Sequence, residues 1–252
     1  KNMNANSVLI KDFLTGKSAE SPEKIKEETG LADEAIVLLI KTEIKNIGEI
    51  YNLLVQFSSD KDLIVILGED KLAYIKFNDS ENNFDNAENL AVLIKDSIKN
   101  ELLIDAYVSV GDKTENFKDI PYAFGQAECA MKMGLLAGDK NNVFTFKEYL
   151  LMQIIEKIDK EHLITYIDTL VPKNREKFFS NYELVNTAQE FLNNDLNLSE
   201  TSRNAFLHKN TLLYRLDKIE KLTGLNIKRF SDAVSFKLAY VISKVIAGKE
   251  SQ

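Results

Sequence analysis

Thiol chemistry is nearly absent from this chain. Its one cysteine, Cys129, rules out an intrachain disulfide and fits a reducing compartment, the cytoplasm. Cys129 sits in AFGQAECAMKMG among small and apolar neighbours and reads as a buried structural thiol. Histidine is scarce too. His162 and His208 lie far apart with no cysteine pair near either, which argues against the usual zinc spacings. No hydrophobic run approaches the length of a membrane span and no signal peptide is visible, so no membrane partner is expected. A glycine-rich phosphate loop, a nucleophile elbow and a convincing acid–base pair are also missing. The one stretch open to metal chemistry is SSDKD, Ser58 to Asp62, with only Glu43 nearby. A solvated acidic turn is the simpler reading of it. These absences point away from an enzyme and imply no cofactor and no metal.

What is present suits two domains. The chain has 252 residues, 44% of them hydrophobic, and a net charge of -7. It begins at Lys1 rather than Met, which suggests a piece of a longer protein with a further N-terminal domain ahead of it. Residues 1–32 form a helical lead-in. VLIKDFL offers an apolar stripe, and Ser21-Pro22-Glu23 starts a short helix that ends at Gly30. AIVLLIKTE, Ala35 to Glu43, is an unbroken apolar run of the kind buried on both faces of a sheet. IGEIYNLLVQF, Ile47 to Phe57, has a helical period. DLIVILG and KLAYIKF, joined at Gly68-Glu69-Asp70, read as a β-hairpin. A polar loop, NDSENNFDN, follows. Ala87 to Leu102 reads as a helix with Leu90, Leu93, Ile94 and Ile98 facing inward. AYVSVG is a strand, Asp119 to Met133 a helix and NNVFTF a last strand. The order β-α-β-β-α-β, with a further helix and strand, predicts an α/β layer with a sheet of mixed strand direction over 33–146.

Residues 147–181 read as a connecting helix, Leu150 to Leu170, and a linker, VPKNREKFFSN. Residues 182–252 read as all helical. A helix over Glu183 to Leu192 comes first. SDAVSFKLAYVISKVI comes last, with Ser231 as its cap. Val234, Leu238, Val241, Ile242 and Val245 are placed to cover the helices before it.

Those helices lie in NLSETSRNAFLHKNTLLYRLDKIEKLTG, Asn197 to Gly224. A short helix runs over about Glu200 to Phe206, capped by Asn197 or by Ser199. Leu207, His208 and Lys209 make the turn. A longer helix runs from Asn210 to Thr223 and stops at Gly224. Leu212, Leu216, Ile219 and Thr223 share one side of it and must pack on something. Asn210, Thr211, Tyr214, Lys218 and Lys221 share the other, with Arg215 at the border. Three of the four arginines, Arg203, Arg215 and Arg229, lie in a window whose only acids are Asp217 and Glu220. Two helices at a tight turn with a polar, basic outer face have the layout of a helix-turn-helix that reads double-stranded DNA.

On that layout Lys209, Asn210 and Thr211 stand nearest the base edges. Arg215, Lys218 and Lys221 meet phosphates. Ser199 and Thr201 touch the flanking strand, and His208 sits in the turn. Ser202 and Ala205 are small where two helices cross. The same face also fits a solvated helix of a plain bundle. One module of this size buries only about 600–1,000 Å². A dimer or larger homo-oligomer reading half-sites roughly 34 Å apart is therefore expected.

The stretch from Leu196 to Ile227 resembles the C-terminal helix-turn-helix of the PucR/CdaR family, bacterial transcriptional regulators of purine catabolism and sugar-diacid use. The family pattern is close to LSETARxLxVHRNTLxYRLxxIExLTG. Leu198 to Thr201 match its opening. His208, Asn210, Thr211, Leu212, Tyr214, Arg215, Leu216, Ile219, Glu220, Leu222, Thr223 and Gly224 match the rest. Ser202 stands for alanine, Ala205 for leucine and Lys209 for arginine, with Phe206 expected to fill the volume that Ala205 gives up. Lysine lacks the planar fork of arginine, which puts base preference rather than binding in question.

Residues about 33–146 are similar to the CdaR-type domain, a distant relative of the diguanylate cyclase fold. The GGDEF hairpin of those enzymes would fall near SDKDL, Ser59 to Leu63, without its glycines and acidic pair. The resemblance implies a degenerate GGDEF-like α/β domain, used for pairing or sensing, followed by an all-α helix-turn-helix domain. It also implies a catabolic operon under small-molecule control, with the effector acting through a preceding domain. A cyclase-like nucleotide enzyme or a pure interaction module is the alternative.

Overall fold

The structure, a computed structural model, describes residues 2–78, 86–138, 141–171 and 175–250. The chain divides into two compact units between Leu150 and Leu151. The first contains α1 (Asn2–Leu14), α2 (Pro22–Thr29), β1 (Ala35–Lys41), α3 (Ile47–Phe57), β2 (Leu63–Ile66), β3 (Lys71–Phe77), α4 (Ala87–Leu102), β4 (Tyr107–Val110), α5 (Ile120–Ala137) and β5 (Val143–Thr145). The start of α2 is the expected one. Ser21 Oγ accepts from Lys24 N at 3.3 Å, and Gly30 closes the helix at φ 66°.

The five strands lie in the order β2-β3-β1-β4-β5. β1 is antiparallel to both β3 and β4, and β4 is parallel to β5. The sheet is therefore of mixed direction, and its first four strands form a split β-α-β arrangement. Register explains why β1 is apolar throughout. Leu38 lies opposite Tyr74 and Val110, and Ile40 opposite Leu72 and Val108. With Ile36, these residues face α3 and α4 in one core. Alternate residues point to the other face. There Ser109 Oγ on β4 donates to Ala127 O of α5 at 2.7 Å.

Several details differ from expectation. Leu93 is 51% exposed, because Leu90, Ala91, Ile94 and Ile98 define the buried arc of α4 and Leu93 falls just outside it. Cys129 is half-buried rather than enclosed. Residues 79–85 of the polar loop lie outside the described residues. Ser59 to Leu63 is not a hairpin: it joins α3 to β2. The β2–β3 hairpin turns at Leu67–Asp70, where Leu67 N and Gly68 N donate to Lys71 O at 3.0 and 3.3 Å.

The stretch expected to be mostly helix over Leu150 to Leu170 is two helices, the first of them α6 (Leu150–Glu156). The backbone is extended at Asp159 before α7 (Lys160–Leu170). Then come α8 (Arg175–Phe179), α9 (Tyr182–Asn193), α10 (Leu198–Asn204), α11 (Lys209–Thr223) and α12 (Phe230–Glu250). Pro172, which marks the expected linker, lies outside the described residues. Phe178, in the same stretch, is fully buried with Leu184, Ala188, Phe191, Leu212, Leu216, Ile219, Ile227 and Phe236. This end of the stretch is therefore core of the helical unit. α12 covers that core through Phe236 and, in part, Tyr240. Val234 is 51% exposed, and α12 also packs along α7, with Lys160 and Glu250 paired at 2.9 Å. Ser231 stands inside the first turn of α12 instead of capping it.

Candidate nucleic-acid interface

α10 begins where Asn197 caps it. Its Oδ1 accepts from Ser199 N at 3.0 Å and from Glu200 N at 3.1 Å, satisfying two helix donors that would otherwise lack partners. Of the two candidate caps Asn197 is the one used, and Ser199 lies exposed in the first turn. The turn out of α10 is fixed from inside. Leu207 N donates to Ser202 O at 2.9 Å, and Ser202 Oγ donates to Leu207 O at 2.5 Å. The serine that replaces the pattern's alanine thus satisfies a turn carbonyl. Phe206 does not fill the space beside Ala205. It is 96% exposed and has φ 54°.

α11 then starts one residue before its expected first position. His208 is its cap, with Nδ1 accepting from Asn210 N at 3.3 Å. That leaves Nε2 as the ring's donor toward the outside. Leu212, Leu216, Ile219 and Thr223 are buried, and Gly224 ends the helix at φ 81° with its N–H on Glu220 O at 2.8 Å. With that side hidden, Lys209, Asn210, Thr211, Tyr214, Lys218 and Lys221 are exposed. Lys209, Lys218 and Lys221 have no ion-pair partner among the described residues. The α11 surface therefore presents the positive charge of Lys209 and Lys218, with that of Lys221 partly offset by Asp217, beside hydroxyl and amide groups, a combination suited to phosphates and base edges.

Two expected contact residues are placed differently. Thr201 is fully buried, and its Oγ1 donates to Asn197 O at 2.7 Å. It braces the start of α10 and offers nothing to an outside partner. Arg215 is turned inward. Its Nη1 donates to Thr187 Oγ1 at 3.1 Å and its Nη2 pairs with Glu183, both on α9. Sequence reasoning missed Glu183 and Thr187. Nothing local could have linked them to Arg215 across 28 to 32 positions of chain. Two further charges near the interface are engaged. Arg203 lies 3.5 Å from Glu200, and Lys228 lies 2.8 Å from Asp217. The Lys228 ammonium holds the Asp217 carboxyl below the ordinary carboxylate range, chiefly through their hydrogen bond.

The acidic turn of the first unit is also accounted for. Asp62 is enclosed, its Oδ2 accepting from Ser59 N at 2.9 Å, Tyr74 OH at 3.1 Å and Lys76 Nζ at 2.8 Å, and its Oδ1 from Phe77 N at 3.1 Å. Those four donors use the carboxylate's acceptor capacity. Among the described residues no group of three or more His, Cys, Asp or Glu is placed to hold a metal ion. Among the described residues no helix is long and apolar enough to cross a membrane.

Comparison with known proteins agrees with this geometry. Residues 184–242 match the PucR C-terminal helix-turn-helix domain. The chain is 25% identical to the purine catabolism regulatory protein of Bacillus subtilis (strain 168) over 129 residues, 51% of this chain and 24% of that one. It is 23% identical over 210 residues to an uncharacterized protein of Haemophilus influenzae, 82% of this chain and 55% of that one. It is 22% identical over 144 residues to the proline-responsive transcriptional activator PutR of Bacillus subtilis (strain 168), 55% of this chain and 34% of that one. The chain thus spans about a quarter to about half the length of these relatives. Two of them are regulators by name.

Proposed function

We propose that this chain is the DNA-binding part of a transcriptional regulator, and that α10 and α11 bind duplex DNA sequence-selectively. The observation that carries this reading is the surface of α11, with Lys209, Asn210, Thr211, Tyr214 and Lys218 exposed above a fully buried leucine side. The match over 184–242 to the PucR helix-turn-helix domain supports it. Asn210 and Thr211 read base edges in the major groove. Lys209, Lys218, Ser199 and His208 Nε2 meet the backbone or flanking bases, and Tyr214 packs beside them.

One such module offers a small interface, so a dimer or larger homo-oligomer reads paired half-sites. The α/β unit is a degenerate GGDEF-like domain that serves pairing or sensing. The regulator controls a catabolic operon in response to a small molecule, in the manner that the names of the two regulators above suggest. The test is selection of bound fragments from genomic DNA, followed by titration of a selected duplex at several salt concentrations. Selective binding whose affinity falls steeply with salt is expected. Equal, weak binding to all fragments would leave α11 as an ordinary solvated helix.

A further inference from the structure

Phe206 carries two liabilities at one position. It is 96% exposed, so its ring adds nothing to the core, and it is the most exposed large apolar side chain among the described residues. Its φ of 54° lies in the left-handed region, which a β-carbon disfavours and which glycine or asparagine accepts more readily. Strain of this kind gathers at functional sites. The surroundings are specific. Phe206 forms the turn between α10 and α11, two residues before the cap His208 and four before Asn210. Arg203, with a side chain 76% exposed, and the exposed Lys209 flank it three positions to either side.

We propose that Phe206 is a duplex contact, resting on the DNA-binding reading above. Its ring lies against deoxyribose and thymine-methyl carbons at the rim of the groove that α11 enters, while Lys209 meets a phosphate beside it and Arg203 stays paired with Glu200. The turn is thereby part of the recognition surface, and its apolar character supplies affinity that salt does not screen. Leu103 provides an internal comparison. It too is left-handed, at φ 57°, and 81% exposed, at the end of α4. It stands beside Glu101 and beside Asp105, which pairs with Lys99 at 2.7 Å, and it lies outside the helix-turn-helix.

The experiment compares Phe206→Asn, Phe206→Ala and Leu103→Asn in the whole chain. Binding to a duplex selected by the wild type is measured by fluorescence anisotropy, and thermal unfolding is followed in parallel. Both asparagine variants should raise the unfolding midpoint or leave it unchanged, since asparagine tolerates the left-handed backbone. Only the two Phe206 variants should lose affinity, by roughly five- to tenfold, at every salt concentration. The slope of log affinity against log salt should stay as in the wild type, because an apolar contact releases no counterion. Wild-type affinity in Phe206→Asn and Phe206→Ala would overturn the proposal. So would a loss that tracks a lowered midpoint. If the wild type selects no duplex at all, the DNA-binding reading falls first and this contact with it.

Discussion

Arg215 on α11 is hydrogen-bonded to Thr187 on α9, Nη1 to Oγ1, at 3.1 Å. The same guanidinium pairs with Glu183 one turn earlier on α9. The helix that presents the polar face is thus tied to its neighbour by a fixed, planar group, which sets how far and at what angle α11 projects. A phosphate-binding arginine would need to leave this pair.

Arg215→Ala should therefore act through structure rather than through counterions. The arginine side chain is 20% exposed and Glu183 is 62% exposed, so solvent screens part of the pair. Its loss should cost about 1–2 kcal/mol of stability, the low end for charged hydrogen bonds. DNA affinity should fall with an unchanged salt slope. Lys218→Ala makes the contrast: it should leave stability alone and lower the slope by about 0.9. Urea unfolding and salt-dependent titration of both variants check this, and a reduced slope in Arg215→Ala would return that residue to the phosphate contacts.

Asn210 is exposed at the start of α11, its backbone N–H donates to His208 Nδ1, and its side-chain amide has no hydrogen-bond partner among the described residues. Its side-chain amide is placed to read one base. Asn210→Ala should lose discrimination at a single base pair by about 1–3 kcal/mol, as expected for a bidentate contact to adenine. Binding-site selection with the variant should return a motif relaxed at one position. An unaltered motif would assign base reading elsewhere on α11.

The parts of the fold that were legible are those where one physical rule acts locally. Ile47–Phe57, Lys71–Phe77 and Ala87–Leu102 have the predicted bounds because apolar pattern and the polar or turn residues flanking it are both local. Gly224 and Ser21 end and start their helices as backbone rules require. What escaped depends on partners distant in sequence. Phe178 sits in a charged string that reads as a tether, yet its ring meets Phe236 edge-on at 5.5 Å between centroids. The two adjacent phenylalanines in KFF were the available sign. Thr201 looked like a surface hydroxyl because burial of a cap-side threonine is decided by how α10 packs. Arg215 looked like a phosphate ligand because nothing in α11 reveals α9.

Asp62 should prove structural and not catalytic. Its side chain is completely enclosed, and the side chain of Lys76, 2.8 Å away, is 7% exposed. Burial, and then the Asp62 charge, push the Tyr74 phenol above its ordinary range, so it stays a neutral donor to the carboxylate. Asp62→Ala would leave Lys76, the Tyr74 hydroxyl and two backbone N–H groups without this acceptor. A loss of about 1–3 kcal/mol is expected, the scale for leaving buried donors without an acceptor. Urea unfolding measures it. A metal-site role predicts instead that Mg²⁺ raises the wild-type unfolding midpoint and fails to do so in the variant.

Asp217 and Lys228 give the helix-turn-helix a pH-dependent component whose sign is fixed. Lys228 holds the Asp217 carboxyl below its ordinary value of 3.8. A folded-state value below the unfolded one contributes stability above the unfolded value, and that contribution is lost as pH falls through the lower folded value. The difference in unfolding midpoint between the wild type and Asp217→Asn should thus be present near neutral pH and vanish as acidification passes the lowered folded-state value. Both groups are at the surface, so added salt should shrink the difference as well. The same pair bears on DNA. While Asp217 holds Lys228, that ammonium is partly neutralised. Asp217→Asn frees it, which should steepen the salt slope by up to about 0.9 if Lys228 then reaches a phosphate. A variant with wild-type slope but lowered stability would place Lys228 away from the duplex and leave the pair a purely structural link between α11 and the loop before α12.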